Sequence, residues 1–299
     1  MDRACMKILL TGATGFLGSR LATHLHRAGH SVCYLRRPQS VVAREVAHLP
    51  AYVVEPDGSG IREALTEVSP HVVVHLAAHY VAEHRFEDIE ALVSSNILFG
   101  SYLLEAMRLA GAKHLVYAGT SWQHYEGAEY RPVNLYAATK QAFSTLADYY
   151  RDTTEMRILE LHLYDLYGEG DTRPRLLNQL QSAADSGTEL AMSMGEQRIH
   201  LVHVDDVSRG FAMACRQVRQ QAAGERRVYR LPSLRSVSLQ ELVAAFSAVN
   251  PHLPARVAWG KRPYRAREVF LPWDGQEILP DWVPRIGLQE GLRWFRGCR

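Results

Sequence analysis

The segment Thr11-Gly12-Ala13-Thr14-Gly15-Phe16-Leu17-Gly18 joins an apolar run typical of a strand, Lys7 to Leu10, to a stretch with helical periodicity, Phe16 to Ala28. Glycines between a strand and a helix permit a tight turn and let the backbone approach a pyrophosphate at the helix N-terminus. The spacing is GxxGxxG rather than the commoner GxGxxG, and an isolated match could be an ordinary turn. Its position at a strand–helix junction favours dinucleotide binding. We expect cofactor contacts from Gly12, Thr14, Gly15, Phe16, Leu17 and Gly18.

Short apolar runs alternate with helix-period stretches along the first half of the chain. Strands that are apolar on both faces and separated by helices predict a parallel sheet covered by helices on both sides. We therefore expect an α/β fold with a Rossmann-like, doubly wound parallel sheet in residues 1–165. Residues 166–299 are more loosely patterned and predict a smaller second domain, from which some segments return to the sheet. The predicted strands are 7–10, 31–35, 52–54, 72–76, 114–117 and 157–163, and the predicted helices are 16–28, 89–110, 135–151, 176–186, 207–217 and 239–249.

The composition of the 299 residues is that of a globular protein, with 47% hydrophobic and 22% charged residues and a formal net charge of +2. So small a positive excess gives no reason to expect a nucleic-acid or membrane-surface partner. No apolar run approaches the ~18 residues that a membrane span needs, and the first residues lack the long apolar core of a signal peptide. The four cysteines lack CxxC spacing and suggest neither disulfides nor a zinc site. We expect a cytoplasmic enzyme or ligand binder.

The residues after the second predicted strand bear on which dinucleotide is bound. NAD-preferring sites usually place an acidic residue there to hold the ribose 2′-hydroxyl. This chain has Arg36 and Arg37 instead, and no acidic residue lies between His30 and Arg44. Guanidinium groups form charge-assisted, forked hydrogen bonds with a 2′-phosphate. The pair therefore favours NADPH over NADH, with a solvated surface pair as the alternative.

Tyr136 and Lys140, in the segment YAATK, lie four residues apart on one face of a predicted helix. A nearby cation lowers the pKa of a tyrosine, and such a phenol can exchange a proton with a carbonyl oxygen while a nicotinamide exchanges hydride with the carbon. YxxxK also occurs by chance on amphipathic helices. Upstream, however, a predicted strand ends in Thr120 and Ser121, whose hydroxyls could hydrogen-bond that oxygen or merely cap a turn. The glycine turn, the Ser/Thr pair and YxxxK together form a specific combination.

The chain resembles the extended short-chain dehydrogenases/reductases, the NAD-dependent epimerase/dehydratase family, which act mostly on nucleotide sugars. The similar motifs follow the family's order along nearly the whole chain. They are TGATGFLG, HVVVHLAA (71–78), the helix opened by Asn96, Ser121, YAATK, LYGEGD (166–171), HVDDV (203–207) and LQEGL (288–292). The resemblance implies a Rossmann-like domain that binds NAD(P) and a smaller C-terminal domain that binds the nucleotide sugar.

The resemblance also implies a role for each matching position. Ser121 would polarise the sugar carbonyl, and Tyr136 would act as the acid/base. Lys140 would hold the nicotinamide ribose and tune Tyr136. Asp57, after the third strand, would lie near the adenine, and Ala77 would lie where the backbone passes the cofactor.

The expected substrate pocket combines residues from both parts of the chain. Arg265 matches the family's diphosphate-binding arginine, although a solvated basic loop is the alternative. Asp165 stands where relatives often have an asparagine facing the sugar, and a carboxylate only accepts hydrogen bonds. His200 and His203 have no third ligand at metal spacing, so no metal site is expected. The other candidate substrate contacts are Thr120, His79, Trp122, His124 and Arg175.

The motifs are less specific for the reaction than for the family, which includes epimerases, 4,6-dehydratases, decarboxylases and 4-ketoreductases. Dehydratases typically carry an Asp-Glu pair directly after the catalytic hydroxyl, where this chain has Trp122-Gln123, and neither side chain does acid–base work. Segments 120–125, 136–141 and 163–168 are similar to synthases of CDP-linked 3,6-dideoxyhexoses, the abequose and paratose type. This similarity implies NADPH-dependent reduction of the C4 keto group of a CDP- or dTDP-linked keto-deoxyhexose.

Two other hypotheses about the function are compatible with the sequence. An epimerase that retains tightly bound NAD is the main alternative, and a non-catalytic dinucleotide sensor is disfavoured by the intact Ser121, Tyr136 and Lys140. The resemblance also suggests a homodimer formed by the helices predicted at 89–110 and 135–151. Those helices could equally pack inside the protein.

Overall fold

The apolar runs of the sequence form strands that alternate with helices in the computed structural model, which describes residues 5–297. Within those residues, seven strands make one sheet with helices on both faces, and three further pairs of short strands lie mainly in the second half of the chain. In chain order the strands and helices are β1 (Lys7–Thr11), α1 (Phe16–Arg27), β2 (Ser31–Arg36), β3 (Ala51–Val53), α2 (Ile61–Val68), β4 (Val72–His75), α3 (Asp88–Val93), α4 (Phe99–Ala110), β5 (His114–Thr120), α5 (Leu135–Thr153), β6 (Arg157–Leu163), β7 (Asp165–Tyr167), α6 (Leu176–Ser186), β8 (Glu189–Ala191), β9 (Arg198–Ile199), β10 (Leu201–His203), α7 (Val204–Gln217), β11 (Arg226–Arg230), β12 (Val237–Ser238), α8 (Leu239–Ala248), β13 (Arg256–Ala258) and α9 (Leu288–Phe295).

The main sheet is parallel throughout, and its strand order is β11-β6-β5-β4-β1-β2-β3. Leu10 of β1 lies in register with Tyr34 of β2 on one side and with Val74 of β4 on the other. The winding direction therefore reverses between β1 and β4. The doubly wound sheet expected from the sequence is confirmed, and in such sheets ligands bind at the carboxyl ends of the strands beside this reversal.

Neighbouring residues of each inner strand anchor opposite helical layers. Ile8 and Leu10 belong to the hydrophobic cluster that includes α1 and α7, whereas Leu9 belongs to the cluster of α2, α4 and α5. All three side chains are fully buried, and burial of each stabilises the fold by about 1.5–3 kcal/mol. A third cluster joins α6, α8 and α9.

Several elements differ from those that the sequence pattern predicts. The short strands β7, β8, β9, β10, β12 and β13 and helix α9 are not predicted. Helix α2 is not predicted, because it has only eight residues, between Gly60 and Ser69, which both adopt left-handed conformations. The helix predicted at 89–110 contains a π-helical turn, Ser94–Leu98. Strand β11 is not predicted either, because it is rich in arginine and its place in the sheet comes from pairing with β6. Thus β11, after residue 165, returns to the sheet, while the boundary at 165 itself stays a prediction.

The turn between β1 and α1 is closed by backbone contacts that leave no room for side chains. Gly12 has a φ of 74°, and a Cβ added there would lie 2.7 Å from the amide nitrogen of Ala77. A Cβ on Gly18 would lie 2.0 Å from the carbonyl oxygen of Gly12. Helix α1 therefore packs directly against the end of β1, next to the segment that leaves β4.

Within residues 5–297, no helix combines the length and apolar character needed to cross a membrane. Cys5, Cys33 and Cys215 are free thiols, and Cys298 lies outside the described residues. Burial raises the pKa of the Cys33 and Cys215 thiols to about 12, so neither is poised as a reactive thiolate.

Replacing Gly18 with alanine is expected to destabilise the protein, because the new methyl group would overlap the Gly12 carbonyl. Overpacking of this kind costs about 1–3 kcal/mol, which thermal unfolding followed by circular dichroism would show as a midpoint several degrees lower. Gly287→Ala is the matched control, since Gly287 precedes α9 with a φ of −68° and a Cβ there meets nothing within 4 Å. Equal midpoints for Gly18→Ala and the unchanged protein would contradict the close contact.

Candidate active site

A cavity of about 1030 Å³ opens at the carboxyl ends of β1, β4, β5 and β6, and residues from the second half of the chain form its other wall. It therefore lies beside the reversal of the sheet, where the topology predicts a ligand. The sequence-predicted residues that line it are Gly12, Gly15, Phe16, Leu17, Gly18, Thr120, Ser121, Trp122, His124, Tyr136, Lys140, Asp165, Arg175 and Arg265. The fold thus brings together residues that are up to 253 positions apart, from Gly12 to Arg265.

The glycine turn fits the pyrophosphate of a dinucleotide. Gly15 caps α1 without a side-chain hydrogen bond, and the first turn of the helix holds no acidic residue. The free amides and the positive end of the helix dipole are therefore open to an anion. The Thr11 hydroxyl accepts hydrogen bonds from the amides of Leu76 and Ala77, at 3.2 and 3.1 Å, and this fixes the backbone beside the turn. Thr14 lies within the turn but not on the cavity wall.

The residues predicted to select the cofactor lie at the same edge of the sheet but outside the cavity wall. Arg36 ends β2, and its guanidinium donates to the carbonyls of Arg37 and Pro38, at 3.4 and 3.3 Å. Arg37 is exposed. Asp57 is also exposed, after β3, and hydrogen bonds from the hydroxyl and amide of Ser59 hold its pKa below the usual range. The roles of these residues stay predictions.

Two hydroxyl residues at the end of β5 enter the cavity through a single turn of 3₁₀-helix, Ser121–Gln123. The Thr120 hydroxyl accepts from the amide of Trp122, at 3.3 Å. Gln123 accepts from the amide of Thr120, at 2.8 Å, and donates to Gln141 on α5, also at 2.8 Å. The Ser121 hydroxyl makes no hydrogen bond with another residue of the described chain, and it is therefore available to a ligand. Thr120 therefore caps this turn, which is one of the two roles that the sequence analysis gives as alternatives for these hydroxyls.

Tyr136 and Lys140 lie on the face of α5 that meets the cavity. Asn134 begins the helix by accepting from the amide of Ala137, at 2.9 Å, and its own amide donates to the carbonyl of Ala82, at 2.9 Å. Burial lowers the pKa of Lys140 to about 8, against an opposing effect of Glu160. Burial raises the pKa of Tyr136 to about 12, where the sequence argument expects a lowered value. The phenol of Tyr136 is therefore protonated at neutral pH.

The segment after β4 is held by an asparagine of the π-helical turn. The side chain of Asn96 accepts from the amide of His79, at 2.7 Å, and donates to its carbonyl, at 2.9 Å. It also donates to the Thr139 hydroxyl on α5, at 2.8 Å. His79 is therefore fixed through its backbone rather than placed on the cavity wall. The next residue, Tyr80, does line the cavity.

A chain of side chains connects the cavity wall to a buried carboxylate. His124 stacks on Trp273, with ring centroids 3.8 Å apart and planes at 10°, and its Nε2 lies 3.2 Å from Nδ1 of His162. The other nitrogen of His162 lies 2.8 Å from Glu160. Burial lowers the pKa of His124 to about 4, and His162 adds to this effect. His124 is therefore a neutral, fixed part of the wall.

Asp165 lines the cavity together with three arginines that act on its carboxyl group. Burial raises its pKa, and Arg175, Arg265 and Arg173 oppose that rise. Arg265 lies 3.5 Å from Glu83 in an exposed ion pair. Such a pair contributes ~1 kcal/mol at most to stability. The substrate roles predicted for Asp165, Arg175 and Arg265 are compatible with their placement and stay predictions.

The loop between β7 and α6 folds back onto the glycine turn. Arg173 is paired with Asp171, at 2.7 Å, and its guanidinium lies 4.5 Å from the centroid of the Phe16 ring. Arg20 of α1 donates to the carbonyl of Glu169, at 2.6 Å. The loop that carries substrate candidates is thereby attached to the proposed cofactor site.

Sequence reasoning missed Tyr80, Trp273 and the partners of His124. Tyr80 follows the motif HVVVHLAA closely, but nothing in the pattern shows that its ring turns toward Tyr136. Trp273 lies far along the chain in an irregular segment and reaches the wall only through tertiary packing. Asn96 could be found from the family motif, although not its partners. Within residues 5–297, no three His, Cys, Asp or Glu side chains form a group that could hold a metal ion.

Several known proteins are similar to this chain in sequence or in fold. The CDP-abequose synthase of Yersinia pseudotuberculosis is 25% identical over 268 residues, which cover 89% of this chain and 92% of that protein. The dTDP-4-dehydro-6-deoxy-D-allose reductase of Streptomyces bikiniensis is 27% identical, with 97% of this chain and 96% of that protein covered. The solved structure of the UDP-glucose 4-epimerase of Thermus thermophilus with NAD is similar with a TM-score of 0.81 and 25% identity, and 98% of each chain is covered.

The model of one family matches residues 8–230, which is well over half of the chain. The match spans all of the main sheet except Lys7, the first residue of β1. This protein belongs to the NAD dependent epimerase/dehydratase family.

Proposed function

We propose that this protein reduces the C4 keto group of a nucleotide-linked 4-keto-6-deoxyhexose, or of the 3,6-dideoxyhexose, with NADPH. The observation that carries the proposal is the convergence of Ser121, Tyr136 and Lys140 with the glycine turn in one cavity. The names of the Yersinia and Streptomyces relatives support a deoxysugar linked to CDP or dTDP. We place the reaction in the cytoplasm, because it consumes NADPH and a nucleotide sugar.

The reaction needs a hydride at C4 and a proton at the C4 oxygen. A nicotinamide dinucleotide held at the glycine turn supplies the hydride when bound. Tyr136 gives its phenolic proton to the oxygen, and the Ser121 hydroxyl donates a hydrogen bond to the charge that develops there. Lys140, one helical turn from Tyr136, keeps the site positive while the phenolate exists. Solvent returns a proton to the Tyr136 phenolate, which restores the enzyme for the next turnover.

Dehydration is disfavoured by the two residues directly after Ser121. A dehydratase needs an acid and a base that remove water from the sugar, and Trp122 and Gln123 occupy those positions. Both polar ends of the Gln123 side chain are already hydrogen-bonded, to Thr120 and Gln141. Gln123 therefore stabilises the turn after β5, and Trp122 forms part of the cavity wall.

An epimerase that retains NAD is the second candidate, because a UDP-glucose 4-epimerase with NAD shares the fold at 25% identity. Such an enzyme oxidises and re-reduces the same carbon, so it consumes no cofactor. Arg36 and Arg37, at the end of β2, favour a reductase, since a 2′-phosphate marks the cofactor that biosynthetic reductions use. The two candidates predict different stoichiometries.

Replacing Tyr136 with phenylalanine is expected to lower kcat by about 10²–10⁴-fold, because the proton donor is lost. The Kd for NADPH should change by less than about twofold, since Tyr136 carries no charge that binds the phosphates. The assay follows oxidation of NADPH and of NADH with a panel of enzymatically generated CDP- and dTDP-linked 4-keto-6-deoxyhexoses and 4-keto-3,6-dideoxyhexoses.

Tyr130→Phe is the control, because Tyr130 is 60% exposed and lies off the cavity wall. NADPH consumption matched by a new alcohol at C4 supports the reductase. A change of stereochemistry with no cofactor consumed favours the epimerase, and full activity of the Tyr136 variant rules out the assigned acid.

Replacing Arg37 with glutamine is expected to raise the Kd for NADPH about tenfold, the equivalent of one charge-assisted hydrogen bond to the 2′-phosphate. The Kd for NADH should stay the same, because NADH lacks that phosphate. Fluorescence titration of the purified protein with each cofactor measures both constants. Arg44→Gln removes an exposed positive charge from the same segment and serves as the control. An equal rise in the Kd for both cofactors in Arg37→Gln would show that Arg37 does not bind the 2′-phosphate.

We also propose a homodimer that pairs the helical layer of α3, α4 and α5. Ile89, Val93, Leu109 and Tyr149 on these helices, and Phe86 just before α3, are large apolar side chains exposed to solvent. An apolar patch on one helical layer is typical of a protein interface. Sedimentation equilibrium at micromolar concentration should give twice the mass of the 33.7 kDa chain, and the monomer mass would exclude this dimer.

A further inference from the structure

A stack of three side chains leads from the second half of the chain to Tyr136. The guanidinium carbon of Arg175, just before α6, lies 3.6 Å from the centroid of the Tyr80 ring. The Tyr80 ring in turn meets the Tyr136 ring edge-on, with centroids 4.8 Å apart and planes at 70°. All three residues line the cavity. A guanidinium at this distance over an aromatic face is a strong cation–π contact.

The charge of Arg175 is not neutralised by a contacting carboxylate. Among residues 5–297 no acidic group lies within 4 Å of its guanidinium, whereas Arg173, two positions earlier, is paired with Asp171. Asp165 acts on Arg175 only at longer range. The aromatic ring therefore holds Arg175 in place while its charge stays directed into the cavity.

Three elements bring polar groups toward the Tyr136 phenol. Tyr80 comes from the segment after β4, Arg175 from the segment before α6, and Lys140 from the next turn of α5. Burial raises the pKa of Tyr136, Tyr80 adds to the rise, and Arg175 opposes it. Lys140 has a pKa of about 8 and loses its charge as the pH rises through that value. A guanidinium stays charged throughout this range.

We propose that Arg175 is a positioning residue for the acid/base step, because its guanidinium, stacked on Tyr80, supplies a permanent positive charge that stabilises the Tyr136 phenolate. The resemblance of the motifs assigns this task to Lys140 alone. The inference rests on the role of Tyr136 given under Proposed function. It makes the loop before α6 part of the proton-donating centre as well as part of the substrate wall.

The phenolate population of Tyr136 can be measured without a substrate. Tetranitromethane nitrates phenolates, so the initial rate of nitration at Tyr136 at fixed pH follows the fraction ionised. Arg175 opposes the rise in the pKa of Tyr136, and loss of a nearby opposite charge raises the pKa of an acid by ~1 unit or more. Arg175→Gln should therefore slow nitration of Tyr136 about tenfold. Peptide mapping by mass spectrometry gives the rate at each tyrosine of the full-length protein, with the exposed Tyr130 as internal reference.

Arg262→Gln is the matched control, because it removes a guanidinium from the same cavity wall without a contact to Tyr80 or Tyr136. A slower rate in Arg175→Gln alone supports the inference. An unchanged or faster rate, or equal slowing in both variants, would overturn it. Arg175→Lys keeps the charge and should therefore retain most of the nitration rate. Arg175→Met removes the charge and keeps an unbranched chain, so if Arg175→Gln does not fold, an unchanged rate in Arg175→Met overturns the inference instead.

The nitration result and the substrate panel are independent. Slow nitration in Arg175→Gln together with no reductase activity in the substrate panel would support the role of Arg175 and reject the proposed reaction. Reductase activity with unchanged nitration would do the reverse.

Discussion

The contact of Gly18 with the carbonyl of Gly12 fixes how closely α1 approaches the sheet, and the cavity depends on that distance. With the helix this close, its N-terminal amides meet the carboxyl ends of β1 and β4. The hydroxyl of Thr11 then ties the exit of β4 to the same turn. A pyrophosphate site needs this arrangement, because amides and helix dipole act only over the first turn.

The cavity combines a few ionisable groups that burial has moved away from their usual pKa. Tyr136 stays protonated, Lys140 titrates near 8, and Asp165 holds its proton more tightly than an exposed aspartate. Low solvent access is the common cause of these pKa shifts, and it also strengthens the electrostatic interactions between charged groups in the site. A half-buried guanidinium beside a buried phenol therefore has more effect than the same pair on the surface would have.

The two halves of the chain are coupled at the cavity through arginines. Arg173 packs on Phe16 of the cofactor turn, Arg175 stacks on Tyr80, and Arg267 donates to the carbonyl of Pro132. Each contact joins a loop of the second half to the first half of the chain. A planar guanidinium can stack and donate at once, and these contacts add to the apolar packing between the two halves.

The glycine turn, the alternation of apolar strands with helices, and the order of Ser121, Tyr136 and Lys140 are local patterns. From them the sequence predicts the sheet, the family and the cavity residues that belong to the family motifs. These features depend on residues near one another in the chain, so periodicity and spacing reveal them. The position of β11 in the sheet, the Asn96 clamp, the His124–Trp273 stack and the meeting of Arg175, Tyr80 and Tyr136 could not be read this way. They join residues 17 to 149 positions apart along different elements, and only packing of the whole chain sets which side chains face each other there.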